Sequence, residues 1–355
     1  MSESLTLTED SRVRLLNAIA SASLLWAVLA AIVLGSGLIL AAGLNPVDAY
    51  RRIFEGAFGG LYQLSVTVRF FIPLCLAGLA VAIPHRCGLF NIGGEGQLIL
   101  GAVAATYVAL FVPAPAYLHI PLALLAAGAA GAVWAAIPAL MLAYRNVNEV
   151  LSTVMMNFVA AFIVQYLVRS VWRSSDAMFP VTADFPDTAQ FATFGATMAW
   201  HTGLYVTLLA LVAAMLVVSK SSFGFSMRIL ASGAQVARNI GIPIRQTIVI
   251  AMLTGGVFAG LAGATEVMGV QHNLSPQFSP GYGFTAVMIA MLSAGSPLRV
   301  CAIAFLFAAL RNGVSFMQRT EGVPSAIGQV IIALVVIFFA VETAHRYFVN
   351  RVRAR

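Results

Sequence analysis

The sequence predicts an all-α protein, a polytopic membrane helical bundle of about ten transmembrane segments. Hydrophobic residues make up 60% of its 355 residues and charged residues only 9%, whereas a soluble domain carries roughly 25% charged residues. The mean hydropathy is +0.92. A soluble fold needs a polar exterior that this composition cannot supply. These observations argue against a cytosolic enzyme, a nucleic-acid-binding module and a disordered chain.

Apolar runs approaching the roughly 20 residues that cross a bilayer mark the individual spans. The candidates are 19–44, 64–84, 96–112, 120–143, 150–168, 202–219, 247–268, 283–296, 298–312 and 325–342. The first run is too long for the apolar region of a signal peptide, so it predicts a retained helix. The eighth and ninth runs are short, and the segment Ala294-Gly295-Ser296-Pro297 separates their apolar parts. They predict broken or re-entrant elements.

The positive charges predict how the bundle is oriented. The formal net charge is +7, and the basic residues lie between the apolar runs instead of clustering as in a nucleic-acid-binding face. With both termini cytoplasmic, 13 Lys and Arg residues fall inside and six outside, which favours this orientation. The expected parts are a cytoplasmic segment 1–18, a transmembrane domain 19–344 and a basic cytoplasmic tail 345–355.

Two polar loops interrupt the apolar pattern. Residues 169–201, with several aspartates and phenylalanines, form the expected external loop, and residues 219–246 form the expected cytoplasmic loop. In the cytoplasmic loop, apolar or small residues recur at helical spacing before Pro243, which stops a helix: Met227, Leu230, Ala234 and Ala237. The pattern predicts a short amphipathic helix on the inner surface. A plain connecting loop is the alternative.

The segment Cys87–Gln97 is the most informative interruption. Its glycines at 93, 94 and 96 disfavour a regular helix. Asn91 is suited to cap a new helix, and Glu95 near that start suits the helix dipole. Irregular backbone at membrane depth is tolerated only against protein or a water-filled path. The segment is therefore either a tight cytoplasmic turn or a broken helix that lines a translocation route.

Ionisable residues in or near spans are functional candidates because charge is costly in lipid. They are Arg69, Glu95, Glu149, Glu266 and Glu342. Glu149 and Glu342 are interpreted as interfacial or capping residues. Glu266 follows a glycine-rich run and is the better candidate to face a pore. Polar residues also form a stripe at the start of the fifth span: Asn148, Glu149, Ser152, Thr153 and Asn157.

The sequence lacks the common short motifs of catalytic and cofactor-binding sites. It contains no GxxxxGK[ST] phosphate loop, HExxH, CxxC or GxSxG. The three cysteines, Cys75, Cys87 and Cys301, lie in or beside apolar runs and are interpreted as packing residues. We therefore expect no catalytic residue, no metal site and no cofactor on this chain, and we expect any ATP to be bound by another subunit.

Three strings resemble permease subunits of ATP-binding cassette importers, in the branch that handles ribose, other sugars, branched-chain amino acids and nucleosides. The first string is Cys87–Ala102, a mark of the whole branch. Asn148–Asn157 and Gly281–Thr285 look like the nucleoside-type permeases. The resemblance covers roughly residues 60–340. It implies a multi-pass subunit of the bacterial plasma (inner) membrane.

The resemblance also implies partners. They are an ATPase subunit, a second homologous or identical permease and an extracytoplasmic solute-binding protein of the basic membrane protein type. A coupling helix should receive the ATPase movement within Ser226–Ile242, where family members show an Arg-Ala-Val-Gly-x-Asn-Pro-like string. This chain departs from the string at Ala231, Gly233 and Ala234. The expected coupling residues are Ser226, Met227, Arg228, Leu230, Ala234, Ala237, Arg238, Gly241 and Ile242.

For an uncharged nucleoside, the path needs hydrogen-bonding and aromatic side chains. The path candidates are Phe90, Asn91, Glu95, Gln97, Asn148, Asn157 and Glu266. Two other hypotheses compete with a nucleoside permease. One is a sugar or amino-acid permease of the same superfamily. The other is an ion-coupled secondary transporter, in which broken helices also occur and Glu95 or Glu266 would carry a proton.

Overall fold

The computed structural model describes residue 29 and residues 32–41, 43–195, 197–324 and 326–334. These residues form a helical protein, as the hydropathy predicts. The α-helices in chain order are α1 Ile32–Ala41, α2 Pro46–Phe58, α3 Leu61–His85, α4 Gly94–Phe111, α5 Ala116–Arg145, α6 Glu149–Tyr166, α7 Gly203–Lys220, α8 Ser222–Ser232, α9 Ala234–Asn239, α10 Ile244–Glu266, α11 Tyr282–Leu292 and α12 Pro297–Glu321. A last described helical stretch covers 326–334. Short π-helical turns extend α6 and α10.

Seven of the described helices are long and apolar enough to cross a membrane, and α1 with α2 would make an eighth as a sharply bent pair. The predicted count of ten is therefore not confirmed. Much of the runs 19–44 and 325–342 lies outside the described residues, as do the segment 1–18, the tail 345–355 and Glu342. Helix α2 was not predicted, because its charged residues break the apolar run.

The two runs expected to be broken differ from each other. Helix α11 has only 11 residues and is indeed short. Helix α12 has 25 residues, so the expectation of a short element at 298–312 is wrong. The apolar run ended early because Arg311 and Asn312 interrupt it, yet both are good enough helix formers to continue the helix. Asn312 is satisfied inside the bundle, where its amide donates to the Gln63 carbonyl at 2.9 Å.

The chain divides into two compact units, one of residues 57–312 and one made of the chain before and after it. In the smaller unit, a described apolar cluster forms around α1, α2 and the end of α12, with Ile39, Ala49, Val314, Met317, Val323 and Ile331 buried. There Arg52 forms an ion pair with Glu321 at 2.7 Å. The larger unit contains every site residue discussed below.

Helix α10 is the centre of the larger unit and packs against α3, α4 and α5. Glycines make this close approach feasible, as small residues do between helices in lipid. Gly260 lies against the backbone of Ala127 on α5, and Gly263 lies against the backbone of Leu98 on α4. The small-residue pattern in the sequence therefore marks backbone-to-backbone crossings.

The two polar loops lie at opposite ends of α7, which runs from Gly203 to Lys220. We call these the 169–201 end and the 219–246 end. The 169–201 loop is tied along the segment after α10, because Phe185 N donates to His272 O at 2.7 Å and Phe191 N to Met268 O at 3.0 Å. The expected polar loop is thus an ordered layer over its end of the bundle.

Candidate functional site

The glycine-rich segment forms a buried, non-helical entry into α4. Helix α3 ends at His85 and α4 begins at Gly94, with Asn91 fully buried between them. Asn91 does not cap α4 as expected. Its side-chain oxygen accepts from Gly93 N at 3.1 Å, and the amides of Asn91 and Gln97 pair reciprocally at 3.2 Å. The local turn satisfies these side chains before the helix starts.

Asn157 fastens this entry to α6. Its side-chain oxygen accepts from Gly96 N at 2.8 Å, and its amide donates to Ile92 O at 2.9 Å. Without Asn157, the buried N–H of Gly96 and the partly buried carbonyl of Ile92 would lack a helical partner. Ser152 and Thr153, in contrast, bond back to the Glu149 carbonyl of their own helix. Of the predicted stripe on α6, Asn157 is the member whose side chain hydrogen-bonds to another element of the described chain.

We expect Asn157→Ala to destabilise the protein by about 2–4 kcal/mol, because it leaves a buried N–H and a partly buried C=O unpaired. The measurement is thermal or denaturant unfolding of the detergent-purified chain. Asn239→Ala is the matched control, since Asn239 is exposed on α9. Equal stability of the two variants would show that the hydrogen bonds of Asn157 to Gly96 and Ile92 do not stabilise the fold.

Glu95 joins two helix starts. It lies in the first turn of α4, as predicted, but its carboxylate accepts from Gly283 N in the first turn of α11 at 2.6 Å. A side chain on Gly283 would collide with the backbone N of Glu95. The N-terminal ends of α4 and α11 therefore meet inside the bundle, and Glu95, 7% exposed, caps the second of them.

Glu266 lies at the end of α10 beside this junction. It is 4% exposed. Its carboxyl lies beside the polar side chains of Tyr282 and Gln271, and Arg69 and Arg311 act on it electrostatically. A buried carboxyl needs such partners. Glu266 is thus part of a polar cluster inside the bundle, and its place on a path stays a prediction.

Two arginines and two aromatic rings form a row beside Glu266. The Arg69 guanidinium lies 5.0 Å from the centre of the Phe70 ring, and the Arg311 guanidinium lies 5.7 Å from it and 5.3 Å from the Tyr282 ring. Both arginines are half-buried, and Arg69 Nε has no hydrogen-bond partner among the described residues. The row therefore offers donors and ring faces to a polar, planar ligand.

The depth of this row can be read from the helices. Arg69 lies 16 residues before the end of α3, and Arg311 lies 14 residues after the start of α12. At ~1.5 Å per residue, they stand about 24 and 21 Å along their helices from the 219–246 end. Both cations therefore lie well within apolar spans.

Two predicted path residues lie elsewhere. Phe90 is 43% exposed and packs its ring on His85, 5.5 Å between centres, near the end of α3. Asn148 is the N-cap of α6, where its side chain accepts from Leu151 N at 3.1 Å. Neither residue joins the buried cluster, so the structure does not bring the seven path candidates together as one lining.

His201 anchors the 169–201 loop beside the cluster. Its ring is fully buried and stacks on Phe191 at 5.6 Å, and its Nδ1 accepts from Gly203 N at 3.2 Å. Burial, and then the charges of Arg69 and His272, lower its pKa from 6.5 to about 4. His201 therefore stays neutral at physiological pH.

This shift predicts a pH-dependent stability. Below pH 6.5 the unfolded chain protonates His201, while the folded chain resists protonation until about pH 4. Folding stability should therefore fall by a few kcal/mol as the pH drops from 6.5 to 4. Unfolding of the wild type and of His201→Gln, compared across this range, measures the effect. A variant with an unchanged pH slope would contradict the assignment.

The expected amphipathic helix in 219–246 is two helices, α8 and α9, separated at Gly233. The single-helix prediction is wrong because Gly233 has a φ of 143°, which an L side chain rarely adopts. Of the four residues at helical spacing, Met227, Leu230 and Ala237 are buried and Ala234 is exposed. The inward stripe is therefore interrupted at the break.

Basic side chains converge beside α8. Arg228 is exposed and donates to Val218 O at 3.1 Å, and Arg86 donates to Gly295 O at 2.9 Å. Burial, and then the charges of Arg228 and Arg299, lower the pKa of Arg86. These cations repel one another, and no salt bridge to any of them is found in the described part of the chain. The surface is suited to an anionic partner.

Sequence reasoning missed two features of the site. Phe70 and Tyr282 were not singled out, because aromatic residues in apolar runs are usually packing residues. Arg311 was not among the candidates, since it lies at the end of the ninth apolar run. An available signal was the pair Arg69–Phe70 at the middle of a span, where an arginine is costly enough to require a partner.

The comparisons with known proteins agree with this architecture. Residues 63–340 match the family described as the permease component of branched-chain amino acid transport systems. The glucose ABC transporter permease protein TsgB13 of Haloferax volcanii is 38% identical over 88% of this chain and 84% of its own. The guanosine ABC transporter permease protein NupP of Bacillus subtilis is 33% identical over 93% and 95%.

A third relative, the nucleoside ABC transporter permease protein NupB of Lactococcus lactis, is 28% identical over 89% of each chain. The matched family region, 63–340, includes both the segment Cys87–Gln97 and helices α8 and α9. The multiple apolar helices fit a multi-pass protein of the inner membrane. The chain belongs to the permease-component family of branched-chain amino acid transport systems, and it is a transport subunit of the ATP-binding cassette type.

Proposed function

We propose that this chain forms the translocation path of an ATP-binding cassette importer for a nucleoside-like solute. A separate ATPase subunit hydrolyses ATP, and a second permease, homologous or identical, completes the path. A solute-binding protein of the basic membrane protein type delivers the solute from outside. The chain itself carries no catalytic residue and no cofactor.

The observation that carries the proposal is the polar junction where α4 and α11 start inside an apolar bundle. Half-helix starts at membrane depth are tolerated where they line a path or are buried in protein. Here Glu95 accepts from Gly283 N, Glu266 is buried near Arg69 and Arg311, and the guanidinium of Arg69 keeps an unused donor among the described residues. An uncharged, acceptor-rich solute suits such a surface.

The side chains at the junction divide into two roles. The side chains of Asn91 and Gln97 hydrogen-bond to each other, and that of Asn157 bonds to the backbone. These amides therefore hold the junction in shape. The row of Arg69, Phe70, Arg311 and Tyr282 retains ring faces and donors for a ligand. We therefore place solute contact at the row and structural support at the amides.

Coupling to the ATPase is assigned to α8 and α9. A helix pair held to the bundle through buried Met227 and Leu230 would transmit movement of an attached subunit into the spans. Its outer surface is basic and partly apolar, with Arg228 and Phe225 exposed. This placement uses the same region as the predicted coupling segment Ser226–Ile242, with α8 starting four residues earlier.

A sugar is the second candidate solute, because one relative is named as a glucose permease. Vesicles that contain this chain with its ATPase, second permease and binding protein would test the choice. We expect uptake of labelled guanosine that excess unlabelled nucleoside suppresses and excess glucose does not. Suppression by glucose alone would contradict the nucleoside assignment while leaving the permease role intact.

A further inference from the structure

A cleft of about 630 Å³ opens at the 219–246 end, between the end of α5 and the start of α10. It lies beside the last residues of the coupling region. The lining residues that matter for its chemistry are Leu142, Tyr144, Arg238, Ile244, Arg245 and Ile248. None of the polar residues already described inside the bundle belongs to it, so the cleft is separate from the α4–α11 junction.

The charged residues that line the cleft are all positive. Two arginines, Arg238 and Arg245, line it, and none of its lining residues is acidic. The Arg245 guanidinium lies 5.3 Å from the centre of the Tyr144 ring, which fixes it at the rim. The first turn of α10 starts at Ile244 and presents N–H groups to the same space. The head of any occupant should therefore be anionic.

The rest of the surroundings is apolar. Leu142, Ile244 and Ile248 line the cleft, and next to it along the two spans Met141 is 38% and Ile250 47% exposed. Both α5 and α10 are candidate membrane spans, so their exposed apolar side chains suit hydrocarbon better than water. An occupant with a charged head and an apolar tail would match both parts.

We propose that this cleft binds an anionic phospholipid, with its phosphate between Arg238 and Arg245 and its acyl chains along α5 and α10. Basic pockets between spans at the cytoplasmic side are suited to such headgroups. This proposal rests on the proposed function in one respect, namely that the 219–246 end of the bundle faces the cytoplasm. Arg238 and Ile242 also belong to the predicted coupling segment, so a bound lipid would hold the end of α9 against the bundle.

Native mass spectrometry of the detergent-purified full chain tests the proposal. The probes are phosphatidylglycerol and phosphatidylcholine with identical acyl chains, with inorganic phosphate as a competitor. We expect phosphatidylglycerol to be retained preferentially and to survive excess phosphate. Because each arginine near a membrane surface contributes about 1 kcal/mol, the double variant Arg238→Gln/Arg245→Gln should bind it roughly thirty-fold more weakly.

Arg173→Gln is the matched control, since Arg173 is exposed in the 169–201 loop at the opposite end. It should leave the preference unchanged. Three results would each overturn the proposal: equal retention by the double variant, no preference over phosphatidylcholine, or displacement by inorganic phosphate, which would indicate a phosphate site. The binding is measured without ATPase or solute, so failure of the transport proposal would not produce any of these results.

Discussion

Gly260→Val should prevent the protein from accumulating as a folded membrane protein. A side chain at Gly260 would collide with the Ala127 carbonyl on α5, and the backbone of Gly260 is itself what an added Cβ at Gly101 on α4 would meet first. Three helices therefore meet at one glycine, with no flexible side chain to move aside. Overpacking at such a crossing costs about 3 kcal/mol or more.

The measurement is the yield of monodisperse protein after detergent extraction, together with its unfolding temperature. Gly37→Val on α1 is the matched control, because no atom in the described chain lies within 4 Å of an added Cβ there. The control should accumulate normally. If the Gly260 variant matched the control in yield and stability, the three-helix crossing would not be as close as described.

The second large effect is expected at Arg228. Arg228→Glu would place a carboxylate beside Arg86 and Arg299, changing the local charge by two units and pairing cations that have no salt bridge within the described residues. We expect association with the ATPase subunit to weaken at least thirty-fold, about 2 kcal/mol, while membrane insertion is unaffected. Deletion of 230–236, which removes the end of α8 and the start of α9, should abolish association.

Co-purification with the ATPase subunit, followed by titration of the purified components, measures this effect. Arg173→Glu makes the same charge change in the 169–201 loop and should bind the ATPase normally. Unchanged complex formation by both the Arg228 variant and the deletion would show that the coupling contact lies elsewhere on the chain.

Much of the fold was predictable because span length and hydropathy follow directly from the bilayer. The runs at 64–84, 120–143 and 247–268 correspond to α3, α5 and α10. An interruption between α3 and α4 was also predictable, although only Gly93 of the three glycines lies outside the helix, since Gly94 and Gly96 belong to the first turn of α4. Such local features need only neighbouring residues, and a sequence displays them directly.

The site was less predictable because its contacts join distant parts of the chain. Glu95 caps α11, which begins 187 residues later, and Arg311 reaches the rings of Phe70 and Tyr282. Nothing in the spacing of these residues indicates the pairing. The division of the coupling region at Gly233 was also missed, since a glycine that takes a positive φ cannot be told from one that continues a helix.

Solute uptake into vesicles tests the central claim most directly. The purified chain would be reconstituted alone, with a proton gradient, and then with its ATPase, second permease and binding protein, with ATP. We predict ATP-dependent uptake of labelled guanosine by the full assembly and none by the chain alone. Uptake by the chain alone, driven by the proton gradient, would contradict a conduit powered by a separate ATPase.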